Sequence, residues 1–152
     1  MAEEYFSSEL DRALARPDVG TLRLHLEDYR AYLDDVAGKA PYCRQGGAEG
    51  NFNYIYDAHE DPDLALAFVM LALSEYDDPH FIGMIAVGPL EDVLVFHEPT
   101  RELVDRIVAE ARRTPRLRWM LNGIYFPKAE WAQQALQKAV NGAKHDDPLP
   151  PF

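Results

Sequence analysis

From Leu64 to Leu73 the chain reads Leu-Ala-Leu-Ala-Phe-Val-Met-Leu-Ala-Leu, with no polar side chain. As a helix this run spans roughly 15 Å, about half the hydrocarbon core of a bilayer, so it is too short to cross a membrane. It is apolar on every side and has no face suited to water. A buried helix is therefore expected. Asp61-Pro62-Asp63 just before it has the make-up of a helix start. Asp61 serves as N-cap, Pro62 takes the first helical position, and Asp63 sits at the favourable end of the dipole.

The same punctuation recurs along the chain. Ser7 or Ser8 caps a short helix through about Ala15, which Pro17 ends. Thr21 caps a second helix to about Ala37, with Leu22, Leu26, Tyr29, Leu33 and Val36 at helical spacing. Arg23 with Glu27 and Arg30 with Asp34 are placed as i,i+4 pairs on its wet face. Residues 38–51 hold four glycines and Pro41 and read as a long irregular stretch. Phe52, Tyr54 and Tyr56 alternate as in a strand, but Phe52, Tyr56 and His59 share a helical stripe. With no partner strand evident elsewhere, helix is expected there. Asp78-Pro79 opens a helix to about Val87, and Gly88-Pro89 starts another that puts Leu90, Val93 and Leu94 on one face. Pro99-Thr100 precedes an amphipathic helix over 101–113, with Arg112 and Arg113 at its C-terminal end. Thr114-Pro115 restarts a turn or two of helix, and Pro127 opens a last one to about Val140, stopped by Asn141-Gly142. The expectation is an all-α fold of about eight short helices, as an irregular antiparallel bundle or a short HEAT-like stack. One helical domain would cover residues 1–144, with a flexible tail at 145–152 carrying three prolines.

Charge is distributed as unevenly as hydropathy. The 56 residues between Arg44 and Arg101 contain no lysine or arginine and 11 aspartates and glutamates, while the flanks contribute −3 and +3. That span thus accounts for the whole net charge of −11. An acidic surface speeds encounter with a cationic partner, and aromatic anchors inside a charged rim are typical of interface hot spots. Asp57, Glu60, Glu75 and Asp77, with Tyr54, Tyr56 and Tyr76, are the expected partner-binding residues. Asp61, Asp63, Asp78, Glu91 and Asp92 sit at helix starts, where caps and dipole account for them. Six of the 11 arginines fall between Arg101 and Arg118. Helix-end compensation and pairing with the acidic helices explain them. The alternative is a basic edge of Arg101, Arg112, Arg113, Arg116 and Arg118 that recognises a carboxylate or phosphate.

Several chemistries are disfavoured. Strong acidity opposes direct nucleic-acid binding, which needs cations to replace phosphate counterions. Gly46-Gly47-Ala48-Glu49-Gly50 lacks the Gly-Lys-Ser/Thr ending of a phosphate loop and carries an acid instead. Cys43 beside Arg44 has no evident base or oxyanion site. His59-Glu60, His80 and His97-Glu98 offer imidazoles and carboxylates without the i,i+3 or i,i+4 pairing of helical metal sites. Glu91 and Asp92 are adjacent, about 100° apart on a helix, and not the separated pair that acid–base work needs. No catalytic residue, metal or cofactor is therefore expected. Trp119 and Trp131 lie on helical stripes and read as core. The start, Met-Ala-Glu-Glu-Tyr-Phe, is unlike a signal peptide, and a lone cysteine permits no internal disulfide, which suits a reducing cytoplasm.

One block is distinctive: Ile82-Gly83, Gly88-Pro89-Leu90-Glu91-Asp92-Val93-Leu94 and His97. Val104-Asp105-Arg106-Ile107, Glu110-Ala111-Arg112-Arg113, Pro115-Arg116-Leu117 and Leu121-Asn122-Gly123-Ile124 follow it. With Asp61-Pro62-Asp63-Leu64-Ala65 ahead of them, these segments resemble a family of small bacterial helical domains of unknown function, marked by the Gly-Pro-Leu-Glu-Asp block. The resemblance implies an all-α fold and no established activity. The function expected from the residues is a non-enzymatic interaction module whose acidic face binds a cationic protein. Its sharper form is an immunity- or antitoxin-like inhibitor that masks a basic active site. One alternative is a small metal-dependent hydrolase using His59, His80, Glu91 and His97, which would have to converge on one pocket. Another is a structural, self-associating subunit.

Overall fold

The structure is a computed structural model that describes residues 8–36, 38, 61–95, 98–144 and 146–152. Its elements are α1 (Glu9–Leu14), α2 (Val19–Val36), α3 (Pro62–Glu75), α4 (Pro79–Ile85), a π turn (Ala86–Leu90), α5 (Glu91–Val95), α6 (Arg101–Arg113), α7 (Pro115–Leu121) and α8 (Glu130–Val140). Because α4, the π turn and α5 run on as one rod, they amount to seven helices, and no strand occurs among the described residues. The fold is all-α. No helix among the described residues is long and apolar enough to cross a membrane.

The apolar run forms the centre. Asp61 Oδ1 accepts from the Leu64 amide at 3.1 Å, Pro62 occupies the first turn, and every residue from Ala65 to Leu73 is buried. Each large apolar side chain buried there contributes about 1.5–3 kcal/mol. α1, α2, α4 and the π turn pack on α3, while α6, α7 and α8 pack on one another. Tyr29 of α2 ties three elements together, with its ring 6.4 Å from Phe68 of α3 and 6.3 Å from Phe81 of α4. The buried hydrophobic residues form one cluster.

α7 fastens the ends of two other helices. Arg116 is only 4% exposed, and its guanidinium donates to the Leu73 carbonyl at 2.7 Å and the Tyr76 carbonyl at 2.8 Å. The same group donates to the Pro150 carbonyl and to Asp77 Oδ1, both at 2.6 Å. Arg118 donates to the carbonyls of Ala111 and Arg112 at 2.8 and 3.1 Å, closing the last turn of α6. Both guanidiniums lie where helix carbonyls lack partners and where positive charge suits the dipole.

Caps formed largely as local chemistry dictates. Ser8 caps α1 and Thr100 caps α6, accepting from the amides of Asp11 at 3.0 Å and Leu103 at 3.2 Å. Asn141 ends α8 at φ 46°, followed by Gly142 at φ 80°.

The expected helix starts shift in places. α2 begins at Val19, ahead of Thr21, because the Asp18 carbonyl already accepts from the Leu22 amide at 3.0 Å. α8 begins at Glu130, with Pro127 buried ahead of it. Gly88-Pro89 does not start a new helix. Proline offers no N–H to the carbonyl four residues back and its ring crowds that carbonyl, and a widened turn relieves both problems. The Glu91 amide accordingly donates to the Ala86 carbonyl, five residues back. Glu91 and Asp92 therefore lie inside a continuous rod and not at a helix start. Leu90, Val93 and Leu94 are buried on one side of it, as expected.

The C-terminal stretch, expected to be loose, is tied to the domain where the structure describes it. Trp119 Nε1 donates to the Asp147 carbonyl at 2.8 Å, Arg116 holds Pro150, and Leu149 packs on the core. The helix expected over Asn51–Tyr56 and the loop after Gly38 lie outside the described residues.

A Cβ added at Gly88 would stand 3.2 Å from the Tyr29 hydroxyl. Gly88→Ala is expected to destabilise the protein by about 1 kcal/mol in urea denaturation, because overpacking outweighs alanine's helix advantage. In a Tyr29→Phe background the same change should become stabilising. An unchanged sign there would contradict the contact.

Candidate functional site

The expected intrahelical pairs of α2 do not form. Arg23 Nε instead donates to Glu75 Oε1 at 2.7 Å, and Arg30 Nη2 lies 3.6 Å from Asp78 Oδ2. Arg30 is drawn further across by aromatic faces: its Cζ lies 5.3 Å from the Tyr76 ring centroid and 5.7 Å from that of Phe81. Those two rings pack against each other at 4.8 Å. Both arginines thus serve the C-terminal end of α3 and the link to α4, where carboxylates and helix carbonyls concentrate negative charge.

The carboxylates left behind define a site. The Glu27 and Asp34 carboxylates make no hydrogen bond or ion pair among the described residues, and the two residues line an open groove of about 420 Å³ with Arg30, Ala31 and Tyr76. Seven residues apart, the two acids lie two helical turns from each other on one face of α2. Between them, Ala31 leaves room above the helix. Burial holds the Tyr76 phenol above its usual range, with Glu27 and Glu75 adding to the effect and Arg30 opposing it. The hydroxyl therefore stays protonated at neutral pH.

The expected partner-binding residues fare differently. Tyr54, Tyr56, Asp57 and Glu60 lie outside the described residues. Glu75 and Asp77 each hold an arginine of this same chain, although the Asp77 side chain remains 89% exposed. Tyr76 reaches the groove. Sequence reasoning passed over Glu27 and Asp34 by assigning them to local ion pairs. Their i,i+7 spacing around a small residue was the available signal.

The histidine–carboxylate set is not assembled among the described residues. His59 and His97 lie outside them, as does Cys43. His80 is exposed at the start of α4, where its amide donates to Asp78 Oδ1 at 3.0 Å. Glu91 Oε2 accepts from the Tyr125 amide at 2.9 Å, a tether between the rod and the segment before α8. No group of three or more histidines, cysteines or acids arranged for a metal ion occurs among the described residues. Of the basic edge, Arg116 and Arg118 cap helices, Arg113 Nε donates to buried Glu110 at 2.6 Å, and Arg101 lies 4.4 Å over Trp131. Trp119 and Trp131, expected in the core, are partly buried against it.

Another charged cluster joins α1 to α6. Glu9 accepts from Arg106 Nε and Nη2, both at 2.9 Å, and Arg106 Nη1 pairs with Asp63. These bonds, that to Glu9 foremost, hold the guanidinium firmly protonated against the opposing effect of burial. Glu110 is buried behind them and also accepts from Thr114 Oγ1 at 3.2 Å.

Residues 50–145 match the model of a family described as "Family of unknown function (DUF6869)". No curated protein and no solved structure matches the chain.

His25, on α2, has its pKa lowered by burial, with Asp28 opposing. Its folded pKa thus lies below the unfolded value of about 6.5, so above that pH it is neutral in both states and neutral for stability. As pH falls below 6.5, the unfolded chain takes up the proton first and the fold loses stability. Denaturation midpoints of His25→Gln should decline less steeply than wild type from about pH 6.5 to 5. Parallel declines would contradict this.

Proposed function

Because the chain belongs to that family of unknown function, we propose its role from its own geometry: a non-enzymatic interaction module that takes a cationic side chain of a protein partner into the α2 groove. One observation carries the reading. Arg23 and Arg30 leave their local acids for the end of α3, so Glu27 and Asp34 face the groove without a counter-ion among the described residues. A lysine or arginine from outside supplies what the fold withdraws.

Magnitudes set what such a groove does. An exposed ion pair contributes only about 0–1 kcal/mol net, so two carboxylates alone hold nothing tightly. Tyr76 adds its phenol, which can accept from an incoming N–H, and a partner that covers the groove excludes water and strengthens each pair. The net charge of −11 acts earlier, raising the encounter rate with cationic surfaces. An inhibitor that masks a basic active site, of the immunity or antitoxin kind, is the sharper form of this proposal.

The test is titration with an oligo-arginine peptide, followed by amide shifts. Shifts should concentrate at residues 27–34 and at Tyr76, and affinity should fall about fivefold, or about 1 kcal/mol, in Glu27→Gln/Asp34→Asn. Glu102→Gln/Asp105→Asn removes the same charge from exposed positions on α6 and should change affinity little. Equal weakening by both double variants would reduce the effect to net charge and sink the groove.

A further inference from the structure

Beside α1 lies a separate cavity of about 220 Å³. The guanidiniums of Arg12, Arg16 and Arg106 and the carboxylates of Glu9 and Asp63 line it, with Ala13 and Ala67 as its apolar wall. Its volume is that of roughly seven waters at about 30 Å³ each.

Bonding capacity in this cavity is unevenly used. Arg106 has Nε, Nη1 and Nη2 all engaged by Glu9 and Asp63. Arg16 is gripped by Asp18 through Nε at 2.8 Å and Nη2 at 3.0 Å, which leaves Nη1. The Arg12 guanidinium makes no hydrogen bond among the described residues; it forms a loose ion pair with Glu9 at 4.0 Å, too long for a hydrogen bond. Its side chain is 48% exposed. On the other side, Asp63 gives Oδ1 to Arg106 and keeps Oδ2, with the side chain 64% exposed. The cavity lining therefore includes a guanidinium fork with no hydrogen bond among the described residues, a further N–H one turn along, and a second oxygen on the Asp63 carboxylate.

A simple anion suits Arg12 but meets Glu9 and Asp63, and Asp18 and Asp61 act on Arg16 from close by. A simple cation suits Asp63 but meets three guanidiniums. Opposite charges at short, fixed spacing answer both sides at once. We infer that the cavity binds a small zwitterion of the amino-acid type, its carboxylate on Arg12 and Arg16 and its ammonium on Asp63. Guanidinium and carboxylate match in planar two-point geometry, and a short side chain fits against Ala13 and Ala67. This site is independent of the α2 groove.

The experiment is an amide-shift titration of the full chain with free L-amino acids, using acetate and methylammonium as single-charge controls. At least one amino acid should give saturable shifts at residues 9–16 and 63–67, with both controls at least tenfold weaker. Arg12→Gln should weaken that binding at least tenfold. Arg12→Lys, which keeps the charge and loses the fork, should weaken it at least threefold. Failure of every amino acid to saturate, acetate binding as tightly as the amino acid, or unchanged affinity in either variant would each overturn the assignment.

Discussion

A helix buried on all sides carries its burial to Leu73, within a turn of its end, and a carbonyl that lies there is shielded from water. Leaving one such group unsatisfied costs about 1–3 kcal/mol, as much as a buried side chain contributes. α3 meets this in two steps. The Tyr76 amide returns to the Ala72 carbonyl at 3.1 Å, and Arg116 takes the carbonyls of Leu73 and Tyr76. α7 is too short to be stable alone. Its buried Leu117, Met120 and Leu121 anchor it, and it carries Arg116 and Arg118 about 200° apart, to the ends of α3 and α6 respectively. The apolar centre depends on this short helix.

The same demand redistributes charge across the molecule. Carboxylates cluster where α3 ends, and arginines from distant segments gather there: Arg23 on Glu75, Arg30 on Asp78, Arg116 on Asp77. The lysine- and arginine-free span is thereby partly neutralised by its flanks. Among the described residues, the two groove acids without a counter-ion, Glu27 and Asp34, belong to α2, outside that span. The asymmetry in the sequence is real, and of the acids expected to bind a partner, Glu75 and Asp77 hold arginines of this same chain.

What was legible in the sequence had local causes. Asp61-Pro62, Asp78-Pro79, Thr100 and Asn141-Gly142 act within a turn of where they stand, and the apolar run specified its own burial. Assigning the arginines to helix-end compensation fits Arg118, which closes the end of the preceding helix, and Arg116, although its carbonyl partners on α3 lie about 40 residues away. What was hidden depended on long-range partners. Arg23 has a plausible acid four residues away and bonds one 52 residues away. Pro89 ordinarily marks a break, yet here the widened turn seats it in the core, with Gly88 against Tyr29. Three prolines suggested a loose terminus, whereas donors on Arg116 and Trp119 hold its backbone. The groove followed from these same displacements: the i,i+7 spacing of Glu27 and Asp34 places them on one face, but only the long-range pairing of Arg23 and Arg30 leaves them there without a counter-ion among the described residues.

The central claim is that one buried guanidinium secures the end of the central helix. Native-state hydrogen exchange on Arg116→Leu tests it most directly, since this change removes the donors to three carbonyls while keeping an apolar side chain. Protection of the last-turn amides of α3 should fall well below that of its first turns, with global stability lower by on the order of 3 kcal/mol. Unchanged last-turn protection, with a global loss below about 0.5 kcal/mol, would show that α3 ends without Arg116.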